Sequence, residues 1–108
     1  MDNFKIIYKI LKFLEGSLDY EQTDVAAISY QRLGITKERW EQLLIMLQDG
    51  GYITGIVTAQ SLAEDKRHIA EPITPVITLK GLEYLAENTL LKRAAGLLKG
   101  AKDIIPGA

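Results

Sequence analysis

The sequence predicts an α+β winged helix-turn-helix with a three-helix core, a two-stranded wing and a C-terminal helix. A turn leads into a capped amphipathic helix in the stretch LGITKERWEQLLIMLQDGGYI, residues 33–53. Gly50-Gly51 ends that helix, and a β-branched segment follows. After a long polar stretch, ITLKGLEYL supplies a second strand and a further helix. Short helices beside a single hairpin form an α+β domain, in which the helices cover one face of the hairpin.

Length and composition favour one small domain. The chain has 108 residues, of which 47% are hydrophobic and 25% charged. We expect a winged-helix domain over residues 1–88 and a helical extension with a frayed end over residues 89–108. There are no cysteines, which excludes a disulfide framework and a thiol nucleophile.

The N-terminus does not resemble a secretory signal. Lys5, Lys9 and Lys12 interrupt its apolar residues, whereas a signal peptide needs a continuous apolar core. No stretch approaches the roughly 18 apolar residues that a membrane span requires. We therefore expect a cytoplasmic protein without a membrane span.

The first two helices follow from capping residues and apolar spacing. Asn3 can cap a helix that Gly16 ends at about residue 15. Its apolar stripe contains Phe4, Ile7, Ile10, Leu11 and Leu14. Residues 16–28 are predicted to form a loop, with a short helical turn or an edge strand near residues 25–28. Ser29 is expected to cap a short helix over residues 30–33, which Gly34 ends.

The central helix begins after Thr36, a good N-cap residue. Trp40, Leu43, Leu44 and Leu47 recur at helical spacing and should be buried. The opposite face should then be exposed. It comprises Glu38, Glu41, Gln42, Ile45 and Gln48, with Asp49 beside them.

The wing is predicted from β-branched residues and prolines. One strand should cover residues 52–58, residues 59–75 should form a long wing tip, and residues 76–78 should form the returning strand. Thr78 should cap the last helix. The apolar residues expected to pack against the helices are Ile53, Val57, Val76 and Ile77.

Four motifs in order carry a family resemblance: NFKIIYKILKFLE, LGITKERW, LLIMLQDGGYI and ITLKGLEYLAEN. With them the chain resembles the YjcQ family, small phage- and prophage-related winged-helix proteins of bacteria. The resemblance covers nearly the whole chain and implies the fold. It implies no activity that can be assigned residue by residue, because one fold serves many functions.

The position of the central helix suggests binding of duplex DNA, in a phage-related or transcription-associated role. The candidate contacts are Lys37, Arg39, Gln42 and Gln48, supported from the wing by Lys66 and Arg67. Charge opposes this hypothesis, because Glu38, Glu41 and Asp49 would approach phosphates. The net charge of the chain is -1, whereas nucleic-acid-binding domains usually have a pI above roughly 9.

The alternative is a protein-interaction or assembly module. Ile45 lies among the glutamates of the central helix and could contact a protein partner. Leu90, Ala94, Leu97 and Ala101 form a heptad-like seam in the tail. That seam could pair with a second copy in a homodimer or fold back on its own domain. A membrane-surface role is less favoured, because no Trp or Phe anchors the apolar face of the tail.

Catalytic and metal-binding patterns are missing from the sequence. No nucleophile-elbow, P-loop or zinc-protease motif occurs. His68 is the single histidine and there is no cysteine, whereas a structural zinc site needs four such ligands. We therefore expect no enzyme, no cofactor and no metal.

Overall fold

The computed structural model describes residues 2–89. Its helices are α1 (Asn3–Ser17), a 3₁₀ turn (Val25–Ile28), α2 (Tyr30–Leu33), α3 (Lys37–Asp49) and α4 (residues 79–89). Its strands are β1 (Ile53–Thr54), β2 (Val57–Ala59), β3 (His68–Ala70) and β4 (Val76–Ile77). The α+β class is confirmed, and the order of elements is compatible with a winged helix. Residues 90–108, most of the predicted extension, lie outside the described residues, and the boundary at residue 89 stays a prediction.

Helix α1 begins and ends differently from the prediction. Its N-cap is Asp2, whose side chain accepts a hydrogen bond of 2.9 Å from the backbone N–H of Phe4. At the other end Gly16 does not stop the helix, which continues to Ser17. The Ser17 hydroxyl donates to the carbonyl of Phe13 at 3.0 Å. This is the bond to the carbonyl four residues earlier that serine hydroxyls form inside helices.

The predicted caps of the next helices are confirmed. Ser29 accepts from the N–H of Arg32 at 3.3 Å, and Thr36 accepts from the N–H of Arg39 at 3.1 Å. Gly34 ends α2 with a φ of 72°, a left-handed conformation that glycine adopts without steric cost. Residues 25–28 form a 3₁₀ turn, the helical alternative of the prediction.

The core lies between α1, α3 and the strands. Trp40, Leu43, Leu44 and Leu47 are buried, as their spacing predicts. They pack with Ile6, Ile10, Leu11, Leu14, Ile28, Ile53, Ile56, Ile73, Ile77 and Leu85. The indole N–H of Trp40 donates to the carbonyl of Ile28 at 2.8 Å. This bond ties the 3₁₀ turn to α3 and satisfies the polar atom that the buried indole carries.

The predicted single strand over residues 52–58 is wrong, because the chain bends at Gly55. That residue has a φ of 89°, and a Cβ added there would overlap the carbonyl oxygen of Thr74. The wing is therefore two separate antiparallel pairs. In one, Ile53 lies opposite Ile77, and in the other Thr58 lies opposite Ile69. We call the β2–β3 pair and its connection, residues 57–70, the distal hairpin.

The bend changes which apolar residues reach the core. Ile53 and Ile77 are buried as predicted. Val57 is 65% exposed and Val76 is 48% exposed, so the prediction that they pack against the helices is wrong. Ile56 and Ile73 are buried instead. The segment predicted to be an irregular wing tip also contains β3.

The last helix begins as predicted. The hydroxyl of Thr78 accepts from the N–H of Gly81 at 3.2 Å, a capping bond. Leu85 is buried against the core, whereas Leu79 is exposed. The hydroxyls of Tyr8 and Thr89 lie 3.2 Å apart, which joins the end of α4 to α1.

Candidate functional site

The outward face of α3 is covered by the distal hairpin. The side chain of Gln42 donates to the carbonyl of Arg67 at 2.9 Å. Nearly two turns later, at the base of the hairpin, Gln48 donates to the carbonyl of Ile56 at 2.6 Å and accepts from its N–H at 2.7 Å. Both carboxamides therefore bind backbone groups of the same chain, and both residues are half-buried.

Glu41 is the buried charged residue of this face, with 6% of its surface exposed. Its carboxylate accepts from the N–H of Ile69 at 2.8 Å and lies 3.2 Å from Nδ1 of His68. Burial alone would raise the pKa of this carboxyl. The Ile69 N–H, His68 and the charge of Lys37 outweigh burial and lower the pKa below its ordinary value. The ionised carboxylate of Glu41 is therefore the form that binds the hairpin.

Two further contacts lie at the edge of the covered face. The guanidinium of Arg67 forms an ion pair with the carboxylate of Asp49. The ring nitrogen of His68 that does not face Glu41, Nε2, lies 3.7 Å from the carboxylate of Glu64. These groups are largely exposed to solvent, so their pairs contribute less to stability than the buried bond of Glu41.

The predicted DNA contacts divide into two groups. Lys37, Arg39 and Lys66 are exposed, and Arg39 donates to Asn3 of α1 at 2.7 Å. The expected exposure of Gln42 and Gln48 is wrong, because the hairpin backbone occupies their polar atoms. Arg67 is half-buried in its ion pair with Asp49. The carboxamides of Gln42 and Gln48, which were predicted to contact bases, are therefore bound to the hairpin segment. Of the predicted DNA contacts, only the cations Lys37, Arg39 and Lys66 are exposed.

The predicted partner contacts also change. Ile45 is buried, with 4% exposed, so its expected exposure is wrong. It lies outside the main apolar core, one helical turn from Glu41 and from Gln48. Glu41 binds the hairpin and Gln48 binds the base of the hairpin, so the buried Ile45 lies between these two contacts on α3. Leu90, Ala94, Leu97 and Ala101 lie outside the described residues.

An apolar groove between α1, α3 and α4 was not predicted as a site. It has a volume of about 140 Å³. Its lining residues are Phe4, Ile7, Leu11, Met46, Leu47, Tyr52 and Tyr84. Phe4 is 68% exposed and Met46 is 60% exposed. The sequence signal for Phe4 was misleading, since its spacing placed it in the buried stripe of α1. Met46 lies just outside the buried stripe of α3.

Comparison with known proteins gives the family. The family model described as "YjcQ protein" matches residues 8–104. The "Uncharacterized protein YjcQ" of Bacillus subtilis (strain 168) is 29% identical over 106 residues, which is 97% of this chain and 99% of that protein.

The chain belongs to the YjcQ family.

The predicted resemblance is thereby confirmed. No solved structure matches the chain. The family match covers α3, the distal hairpin and most of the groove. Phe4 and Ile7 of the groove precede the matched residues.

The described residues contain neither a group of metal-ligating side chains nor a helix that could cross a membrane. Within residues 2–89, no three His, Asp or Glu side chains are grouped as a metal site would need. None of the helices in that range combines the length and the apolar character that a bilayer crossing requires. The distinctive surfaces of residues 2–89 are the covered face of α3, the exposed cations beside it and the apolar groove.

Proposed function

We propose that this YjcQ-family chain is a non-enzymatic winged-helix module that binds another protein through the apolar groove. The single observation that carries the proposal is the pairing of two exposed apolar side chains, Phe4 and Met46, along one groove. Isolated exposed apolar residues are common on protein surfaces. Two such residues flanking a groove form a patch of the kind that marks interaction sites.

The size of the groove defines the partner's chemistry. A cavity of about 150 Å³ accommodates a benzene molecule, and the groove has about 140 Å³. It therefore fits one aromatic or branched aliphatic side chain of a partner segment. Tyr52 and Tyr84 contact each other edge to face, with ring centroids 5.7 Å apart. Burial raises the pKa of Tyr84, with smaller contributions from Tyr52 and Asp2, so that side chain presents a neutral ring to a ligand.

A peptide library displayed on phage and selected against the full chain tests this proposal. The enriched peptides should share one aromatic or aliphatic anchor residue. They should lose binding to a Met46→Lys variant, in which a charge borders the groove, and keep binding to a Gln31→Lys control. Gln31 is exposed on α2 and does not line the groove. Equal binding to the two variants would overturn the proposal.

DNA binding is the second candidate, and one observation favours it. Arg39 and Lys66 line one open groove of about 480 Å³ together with Thr36, at the N-terminal end of α3. Lys37 is exposed next to them. Cations at a helix N-terminus suit phosphate contact. Glu38 lines the same groove and opposes an anion there.

Titration with random duplex DNA at about 50 mM salt separates the two candidates, because counterion release favours even non-specific binding there. Under the DNA hypothesis Lys37→Ala and Arg39→Ala each weaken binding and lower the salt slope by about 1. Under our proposal the protein does not bind the duplex. The Met46→Lys variant serves as a control. If Arg39 and Lys66 form a DNA-binding surface, the added positive charge should make this variant bind the duplex more tightly.

A further inference from the structure

The distal hairpin is attached to the body of the protein mainly by polar contacts. Ile69 is its single apolar residue that packs, partly buried, against the core. The other apolar side chains of residues 57–70 are exposed: Val57, Ala59, Leu62, Ala63 and Ala70. Segments with few buried apolar contacts open at a lower free energy than the core. The hairpin is such a segment.

The contacts to α3 are made by the backbone of β3 and of Arg67, the residue before it. Glu41 accepts from the N–H of Ile69, and Gln42 donates to the carbonyl of Arg67. Alternate residues of a strand direct their backbone groups to the same edge. These two side chains therefore bind the outer edge of β3 in place of a neighbouring strand. The ion pair of Arg67 with Asp49 adds one side-chain contact.

The base of the hairpin is held separately. The N–H of Thr74 donates to the carbonyl of Gly55 at 3.3 Å, and Gln48 binds both backbone groups of Ile56. The bend at Gly55 and the buried Ile56 lie within this anchored base, and the hairpin leaves it at Val57. Separation of the hairpin would thus break the contacts of Glu41, Gln42 and Asp49 and keep the contacts of Gln48.

From these contacts we propose that the distal hairpin is a releasable cover, which opens about its base while the core stays folded. In the closed position it conceals Glu41, Gln42 and Ile45. Release exposes an acidic and apolar face on α3. A ligand can bind that face only after the hairpin has separated from α3. The residues involved differ from those of the apolar groove, so this proposal and the proposed function can fail independently.

Cysteine labelling of the full chain tests the cover. The sequence has no cysteine, so an Ile45→Cys variant carries a single thiol beneath the hairpin. Its labelling rate is measured at increasing urea concentrations. Global unfolding of the same variant is followed by the fluorescence of Trp40, the single tryptophan, which lies in the core.

Local release makes Cys labelling at least about tenfold faster than global unfolding allows, with a shallow dependence on urea. Labelling that follows global unfolding at every urea concentration would overturn the proposal. Adding Arg67→Ala should accelerate labelling about threefold, the size expected for an exposed ion pair. The control Lys66→Ala removes an adjacent positive charge that forms no ion pair within residues 2–89, and should change nothing. Equal labelling rates in the two alanine variants would show that the Arg67–Asp49 ion pair does not hold the hairpin closed.

Amide exchange provides the same comparison without substitution, should the Ile45→Cys variant not fold. The N–H of Ile69 is bound by the carboxylate of Glu41, so its exchange reports separation of β3 from α3. Leu44 is fully buried and reports the core. Ile69 should exchange at least about tenfold faster than the core amide when both are corrected for intrinsic rates. Equal protection of the two amides would overturn the proposal.

Discussion

The backbone N–H of Ile69 in β3 donates a hydrogen bond of 2.8 Å to the carboxylate of Glu41 in α3. A helix side chain thereby takes the position that a neighbouring strand would have at the edge of β3. Exposed strand edges invite association with other chains. The bond closes this edge, and it gives a structural role to a glutamate on the face of α3 for which DNA contact was considered.

Replacement of Glu41 should destabilise the protein. Glu41→Ala leaves the N–H of Ile69 without its acceptor, and an unsatisfied donor of this kind costs about 1–3 kcal/mol. Glu41→Gln retains an oxygen at the same position and should cost less. Urea unfolding followed by Trp40 fluorescence measures both. Variants as stable as the unmodified protein would show that the hydrogen bond contributes nothing.

The pH dependence of stability should carry the signature of Glu41. The folded state lowers the pKa of this carboxyl and so favours its ionised form. Its stabilising contribution is fully present above the ordinary glutamate pKa, about 4.3, and is lost as the pH falls through the lower folded-state value. The difference in unfolding free energy between the unmodified protein and Glu41→Gln should therefore shrink from pH 7 to strongly acidic solution. A difference that is constant with pH would contradict the assignment. Using Glu41→Gln as the reference cancels the titration of the other carboxyls.

Two glycine substitutions should have opposite effects. Gly55→Ala forces a left-handed residue and an overlap with the Thr74 carbonyl, and should cost at least about 2 kcal/mol. Gly16 lies in α1 with open space around its Cα. Gly16→Ala should stabilise the helix by about 0.5–1 kcal/mol. Thermal unfolding compares the two variants, and a loss of stability in both would show that α1 needs the glycine.

The C-terminal seam allows two arrangements, a homodimer or a tail that folds back on its own domain. Leu90, Ala94, Leu97 and Ala101 recur at heptad-like spacing. Pairing through the tail gives a dimer mass for the full chain in sedimentation and a monomer mass for a chain ending at Thr89. Ending there keeps the contact of Thr89 with Tyr8 in α1. A monomer mass for both chains would exclude pairing through the tail.

Local sequence signals predicted the helices and part of the wing. Ser29, Gly34 and Thr36 act at the positions that their capping chemistry indicated. Their bonds reach two or three residues along the chain, so their outcome depends little on the rest of the molecule. The bend at Gly55 was missed, although a glycine inside a strand pattern signals a bulge or a close backbone approach. The strand β3 was missed because three residues among charged neighbours carry no clear alternation.

The sequence by itself determined the buried stripe of α3, since period and apolar character are properties of one segment. Only the tertiary structure determined what the side chains on the opposite face of α3 contact. Whether Gln48 contacts water or the backbone of Ile56 depends on where a chain segment eight positions away returns. The contact of Glu41 with Ile69 likewise depends on where β3 returns, 28 positions away. Helix periodicity is a local property, whereas the bonds of Gln48 to the backbone of Ile56 form only when a separate segment returns to α3.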